Sequence, residues 1–427
     1  FRKYLHRRIN LEQVYTIAQQ ITNMYRNDGY ILSKAVVPPQ KIEAGVVRIN
    51  VIEGFVDRVA IQGQVRGPRK LLSEYRRGIL RSRPLKAKDL ERYLLLVDDL
   101  PGVSVKSVLT PSKDKPGATN MTLILSNKAY EGSVGLDNRG TEFNGPIQIN
   151  AGLSGNAVFK NYERIGLQTV VTSNTDELQF FSGFYEQPIS SEGSKLFFSA
   201  SVSDSKPGDV LEEFEVVGES KTFALKITHP FIRSRAENLT GTLGFTHRNS
   251  TTDILGTLDS EDRLRIVNLG LSYDFVDEYR GVNLMSFNLS KGFDILNSTE
   301  TGSENLTRET GHSDFTKLSG QVLRLQQLAP SWMLLGAFSW QYSFEKLLSS
   351  EEFGVGGAQF GRAYDSSEIT GDQGVAFKLE LQKAFQPKQK YLRDVQAYTF
   401  FDYGAVWNRI PTSTGSTVQD LNSLGVG

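Results

Sequence analysis

The sequence of 427 residues contains no cysteine. That absence excludes a disulfide framework, a thiol nucleophile and a Cys-type zinc site. Histidine is scarce: His6, His229, His247 and His312 form no close pair such as H-E-x-x-H. No apolar run approaches the ~18 residues that a membrane helix needs. With a mean hydropathy of −0.30, a helical membrane protein is excluded. Net charge is lacking too, because 48 Lys+Arg balance 48 Asp+Glu. The balance conceals a segregation. Residues 1–128 hold 23 basic and 11 acidic residues, a net of +12, and the remainder holds 25 and 37, a net of −12. Opposite signs point to two regions with different surroundings. What the sequence does have is glycine, 39 residues, and 10% aromatics. The chain opens on Phe1 within what reads as an ongoing domain and closes on Gly427 in mid-pattern. Both ends read as truncations of a longer protein.

Residues 10–27 predict one helix. Asn10 is placed to cap it, with Gln13 at capping-box spacing. Leu11, Val14, Ile17, Ala18, Ile21, Met24 and Tyr25 recur at threes and fours and share a face. Short strands are expected at Ala35–Val37 and Gly45–Ile52. A more complete unit follows. It has a strand at Val56–Gln62, helices at Pro68–Leu80 and Lys86–Val97, and strands at Val103–Thr110 and Asn120–Ser126. Leu94, Leu95 and Val97 are expected in its core. The adjacent Asp98 and Asp99 diverge and read as a solvated helix end rather than a catalytic carboxylate pair. Positive charge is densest from Arg58 to Arg92. Such charge can meet nucleic acid, acidic polypeptide or phospholipid head groups. The stretch lacks interleaved stacking aromatics and any helix-turn-helix or RNA-binding signature, so no nucleic-acid partner is expected.

The order strand, helix, helix, strand, strand, preceded by the latter part of the same order, resembles a tandem of POTRA domains. These are the polypeptide-transport-associated modules of outer-membrane translocases. The residues that carry the resemblance are YRNDGYILSKAVVPPQ…GVVRINVIEG (25–54) and RYLLLVDDLPGV (92–103). Any small α+β domain also fits the bare pattern. The resemblance implies a partial first POTRA domain at 1–54 and a second at 55–128.

From residue 130 onward the periodicity changes to two. In Lys195–Ser203, Leu196, Phe198, Ala200 and Val202 face one way, and Phe197, Ser199, Ser201 and Ser203 the other. In Asn283–Ser290, Met285, Phe287 and Leu289 oppose Leu284, Ser286, Asn288 and Ser290. Further segments begin near residues 131, 146, 163, 177, 217, 237, 263, 314, 331, 375 and 395, and a last one starts at Leu421. Each is ~10 residues, the length of a tilted membrane-spanning strand. Connections such as 275–281 and 328–331 are short, whereas 204–214, 292–313 and 345–373 are long and polar. Short turns on one side and long loops on the other is the outer-membrane barrel pattern. A solenoid would show a fixed repeat length, and a sandwich a dry inner face.

The longest late loop reads FGVGGAQFGRAYDSSEITGDQG (353–374), followed by VAFKLELQ (375–382) and VQAYTFFDYGAVW (395–407). Parity sends Val375, Phe377, Leu379 and Leu381 outward and Lys378 and Glu380 inward. In the second strand it sends Phe401 and Tyr403 outward and Asp402 inward. Two inward carboxylates therefore lie beneath a loop that carries Arg362. A charge buried in a barrel needs a partner, and the guanidinium fork suits a carboxylate. Gly354, Gly356 and Gly357 read as a flexible loop base, since neither Lys-Ser/Thr nor a helix follows them.

These segments resemble two-partner secretion outer-membrane transporters of the TpsB family, the haemolysin/haemagglutinin secretion-activation type. In that family a long sixth extracellular loop folds back into the pore. Its tip carries V-R-G-Y/F, whose Arg pairs with inward carboxylates on the two following strands. Here the tip matches as Gly361, Arg362, Ala363 and Tyr364, departing at Gly361 and Ala363. The carboxylates correspond to Glu380 and Asp402. Gly371, Asp372 and Gly374 of GDQG resemble the family's G-D-R-G, and FFDYGAVW (400–407) its F-D-x-G. The resemblance implies α+β POTRA domains followed by a transmembrane antiparallel β-barrel at 129–427, sixteen-stranded in the family and lacking its last strands here. It implies an outer-membrane location with the POTRA domains in the periplasm, and no enzyme activity, cofactor or metal. The implied partners are a secreted TpsA-type exoprotein with an N-terminal secretion domain, and outer-membrane lipid. A monomer is expected. Arg58, Arg66, Arg69, Lys70, Arg76 and Arg77 are candidates for recognising the exported chain. An assembly or insertion factor with POTRA domains is the alternative, and a passive porin a more distant one.

Overall fold

The computed structural model describes residues 4, 8–43, 45–387, 394–409 and 418–427. The first helix, α1 (Leu11–Asn27), starts where the capping box places it. Asn10 accepts from the Gln13 amide at 2.9 Å, and the Gln13 side chain accepts in return from the Asn10 amide at 3.0 Å. Its buried face is narrower than the apolar stripe. Val14, Ala18 and Thr22 are buried, whereas Leu11 and Met24 are exposed. β1 (Lys34–Val36) packs on this helix and pairs with β2 (Asn50–Ile52), and each is three residues long. Thr22 stitches helix to strand: its hydroxyl donates to the Ala18 carbonyl at 3.0 Å and accepts from the Ala35 amide at 2.9 Å. β2 begins at Asn50 rather than Gly45. The Gln40 side chain occupies both backbone groups of Arg48, at 2.7 and 2.8 Å, in place of a strand partner.

The next unit contains β3 (Phe55–Gly63), α2 (Arg69–Arg81), α3 (Ala87–Asp98), β4 (Val103–Pro111) and β5 (Ala118–Asn127). The strands lie in the order β3-β5-β4, with β3 parallel and β4 antiparallel to β5. The outer edge of β3 has no strand partner among the described residues. Both helices pack on this sheet through Leu72, Tyr75, Ile79, Leu90, Leu96 and Val97, against Val56, Val59, Met121, Leu123 and Leu125. Burying each such aliphatic side chain contributes ~1.5–3 kcal/mol. Val97 is in this core as expected. Leu94 and Leu95 are only half-buried, and Leu96 takes the inner position.

The remaining chain forms one antiparallel sheet of fourteen strands. Its members are β6 (Tyr130–Asp137), β7 (Gln148–Asn156), β8 (Arg164–Thr172), β9 (Leu178–Pro188), β10 (Lys195–Ser205), β11 (Val217–Arg233), β12 (Glu237–Ile254), β13 (Thr257–Val276), β14 (Val282–Gly292), β15 (Thr316–Ala329) and β16 (Trp332–Ser343). Two short strands, β17 (Phe353–Val355) and β18 (Ile369–Gly371), pair with each other inside the following loop. The sheet then resumes with β19 (Gln373–Phe385), β20 (Val395–Trp407) and β21 (Val418–Val426). Every strand pairs with its predecessor in the sheet, and β6 and β21 are its two edges. One face exposes Leu153, Leu167, Phe198, Phe223, Leu243, Leu269, Phe287, Phe338, Phe377 and Phe401, which is the apolar parity of the sequence. The last strand begins at Val418, three residues before its expected start. The largest departure is length: β11, β12 and β13 have 17, 18 and 20 residues. Their far ends are polar, so apolar alternation fades there while the ladder continues. The connection after β14 flanks the extension through Phe293 N to Arg265 O, Thr299 N to Arg263 O and Glu261 N to Asn305 O.

The turns on the near side of the sheet grip the β3–β5 unit. Tyr162, between β7 and β8, is fully buried in that unit's core. A Cβ on Gly67 would lie 2.3 Å from its ring, so only glycine admits it there. At the end of β11, Arg233 forks onto Asp99 with two bonds of 2.7 Å. Arg92 of α3 donates to the carbonyls of Glu192 (3.2 Å) and Pro230 (3.3 Å). Glu91 accepts from the Arg235 amide at 3.2 Å. The solvated helix end expected at Asp98 and Asp99 holds for the exposed Asp98 and is corrected for Asp99. Asp98 caps the Val105 amide at 3.1 Å, and Asp99 is an anchor to the large sheet.

Candidate functional site

Counted from β6, the connection 344–372 is the sixth on the far side of the sheet. It folds back against the inner face, where Val355 and Phe360 pack on Ala337, Ala376, Val406 and Leu421. The three glycines read as a loop base are each tied by backbone pairing. Gly354 pairs with Thr370 in the β17–β18 hairpin. Gly356 N donates to Phe360 O at 2.8 Å, and Gly357 N to Tyr364 O at 3.1 Å. These bonds present the tip residues 361–364 to the wall.

Arg362 meets both expected carboxylates. Its Nε and Nη2 donate to Asp402 Oδ2 and Oδ1 at 3.0 Å each, and its Nη1 donates to Glu380 Oε2. Its guanidinium carbon lies 3.5 Å from the centroid of the Phe400 ring, a cation–π stack. The side chains of Arg362, Glu380 and Asp402 are 17%, 12% and 0% exposed. Asp402 also accepts from the Gly361 and Arg362 amides at 3.2 Å and from the Ser423 hydroxyl at 3.3 Å. Two consecutive amides turned onto one carboxylate form an anion nest. The nest needs Gly361 at φ +92°, a backbone region that valine rarely adopts. Glycine at this departure from the motif is thus suited to the geometry. Ala363 has no positive φ, and Tyr364 is exposed.

Asp372 anchors the other end of the loop and is fully buried. Its Oδ1 accepts from Arg308 Nη1 (2.6 Å) and the Leu347 amide (2.8 Å), and its Oδ2 from the Arg409 amide (2.8 Å). Arg308 also pairs with Glu352 at 2.8 Å. Burial raises the Glu352 carboxyl above its ordinary range, and Arg308 partly offsets this. Glu351 pairs with Arg248 and Lys317 at 2.9 Å each. Of its motif companions, Gly371 ends β18 and Gly374 enters β19. Sequence reasoning missed Arg308, Glu351 and Glu352, because no motif marks them and their partners are remote in sequence.

The six basic candidates divide. Arg66, Arg69 and Arg76 line a groove of about 700 Å³ whose floor includes Val59, Ile61 and Leu72, beside the open edge of β3. These three and Lys70, which lies on α2, form no ion pair among the described residues. Arg58 and Arg77 sit near Asp57 (3.9 Å) and Glu74 (3.6 Å) of their own unit.

Residues 124–427 match the haemolysin secretion/activation protein family ShlB/FhaC/HecB, and residues 1–54 match the ShlB-type POTRA domain. The chain belongs to this family. The heme/hemopexin transporter protein HuxB of Haemophilus influenzae (strain 86-028NP) is 24% identical over 436 residues, covering 100% of this chain and 76% of its own. The structure of CdiB from Escherichia coli matches with a TM-score of 0.76 at 21% identity, over 98% of this chain and 78% of that one. BamA from Haemophilus ducreyi shares the fold at a TM-score of 0.56 and 14% identity, over 98% and 87%. The fold is that of an outer-membrane β-barrel preceded by POTRA-like α/β structure. The chain is accordingly an outer-membrane transporter of the two-partner secretion family, and that family is one of transporters rather than enzymes. In this setting the apolar face of the sheet meets lipid, and Arg362 lies in the lumen.

Proposed function

We propose that this transporter exports a large secreted β-helical partner protein, captured in the periplasm through the unit spanning residues 55–128. In this reading residues 1–54 are a first POTRA domain, 55–128 a second and 129–427 the barrel. The observation that carries it is the groove beside β3. An extended segment adds to an open sheet edge through its backbone, while side chains enter the adjacent apolar floor. Unpaired Arg66, Arg69 and Arg76 favour a segment bearing carboxylates, and they raise its rate of encounter. The docked loop tip is the second element. Arg362 holds loop six against Glu380 and Asp402 in the resting transporter, and release of that bond accompanies passage of the chain.

The test replaces Arg66, Arg69 and Arg76 with Glu in one transporter and measures crosslinking to the purified N-terminal secretion segment of the co-encoded exoprotein. Crosslinking and export should both fall, and other outer-membrane proteins should insert normally. Undiminished crosslinking refutes the groove as the receptor. A defect in insertion of other barrels, with export intact, points instead to an assembly factor.

A further inference from the structure

Lys378 faces the lumen on β19 and lies directly opposite Asp402 in the β19–β20 ladder. Opposed residues in such a ladder have Cα atoms ~4.5–5.5 Å apart, well within reach of a lysine. Yet Lys378 does not bond Asp402. The Asp402 carboxylate is filled by Arg362, the two tip amides and Ser423. Lys378 is drawn to the loop instead: its Nζ donates to Ala358 O at 3.3 Å and stands 5.7 Å from the centre of the Phe360 ring. Both of these partners leave if loop six withdraws, and so does Arg362.

We propose that Lys378 is the relief counter-ion of the loop-six lock, taking over Asp402 when Arg362 departs. The docked cluster is balanced, with Arg362 and Lys378 against Glu380 and Asp402. Withdrawal of Arg362 alone would leave two neighbouring lumenal carboxylates without that cation, and like charges side by side disfavour each other. Lys378 halves that excess. By losing Ala358 and Phe360 at the same moment, it is freed to turn onto Asp402. It meets a cluster of net −1 in the docked state and −2 in the withdrawn state, so its charge favours withdrawal. The inference rests on the reading of Arg362 as a releasable lock.

The test is the open probability of the full chain in planar lipid bilayers. Lys378→Met should lower it by ~tenfold, the equivalent of ~1.4 kcal/mol, and lower export with it. Lys378→Arg should restore both. In an Asp402→Asn background Lys378→Met should have little further effect. If Lys378 merely tethered the loop through Ala358 and Phe360, Lys378→Met would raise opening. A raised or unchanged open probability overturns the proposal. Lys378→Gln, checked for the heat-modifiable gel mobility of a folded barrel, serves if the Met variant does not fold. Arg362→Ala separates the two readings. If it fails to raise opening, the lock itself is refuted; if it raises opening while Lys378→Met does not lower it, only the handover is.

Discussion

Tyr162 should decide whether the second front unit is a freely swinging arm or part of the barrel. It leaves the turn between β7 and β8, and its ring is fully buried in the core cluster of the other unit, against Gly67. Replacing a buried aromatic ring with alanine costs ~3–5 kcal/mol. The phenol oxygen has no partner among the described residues. An unsatisfied buried hydroxyl costs ~1–3 kcal/mol, so its removal is favourable. Tyr162→Ala should therefore loosen the unit, whereas Tyr162→Phe should hold it as well or better. Both variants keep a side chain at φ +56°, so backbone strain is common to the comparison. Hydrogen exchange of the α2 and α3 amides, measured on the full transporter in lipid nanodiscs, reads the effect. A loss of ~3 kcal/mol would speed exchange by ~100-fold, while Tyr162→Phe should slow it. If Tyr162→Ala leaves exchange unchanged, or if Tyr162→Phe behaves like it, the ring is not the fastening.

Arg362→Ala removes the bonds that hold the loop tip to Glu380 and Asp402; export should fall while the barrel still inserts and shows heat-modifiable gel mobility, and normal export would sink the lock. Alkali should release the same front unit. Burial pushes the Tyr162 phenol up to about 12 and raises Tyr75 as well. Unfolded tyrosine titrates near ~10, so this contribution is whole below that pH and is lost as pH rises towards about 12. Exchange of α2 amides, corrected for intrinsic base catalysis, should climb in that window, and Tyr162→Phe should blunt the climb.

What the sequence made legible is what depends on local periodicity. The parity of β19 and β20 places Glu380 and Asp402 on the inner face, and their meeting with Arg362 follows from charge alone. The capping box of α1 is local in the same way. The far ends of β12 and β13 were hidden because strands beyond the lipid have no reason to alternate apolar with polar residues. Asp99 was misjudged because a carboxylate at a helix end looks alike whether it faces water or an arginine. Its partner Arg233 is 134 residues away. Asp372 was found by motif, but Arg308, 64 residues upstream, was not. Turn residues such as Tyr162 carry no periodic signal, and their burial is decided by a second unit.

The charge segregation between the two regions is not what joins them. Of the ion pairs at the junction, Asp99 with Arg233 and Glu91 with Arg235 place the acid on the basic front region. Among the described residues only Arg92 with Glu192 follows the sign of the net charges. A junction built from front-region cations on barrel acids would have neutralised the charge that separates the halves. It would also have made docking of the front unit sensitive to salt. Instead Arg66, Arg69 and Arg76 form no ion pair among the described residues and line the groove beside the open β3 edge. Their field is screened over ~8 Å at physiological ionic strength, so it acts on a segment already near the groove. The front unit is thus held by packing, by its acids and by Arg92, and in the proposed reading Arg66, Arg69 and Arg76 are left to meet a chain arriving from the periplasm.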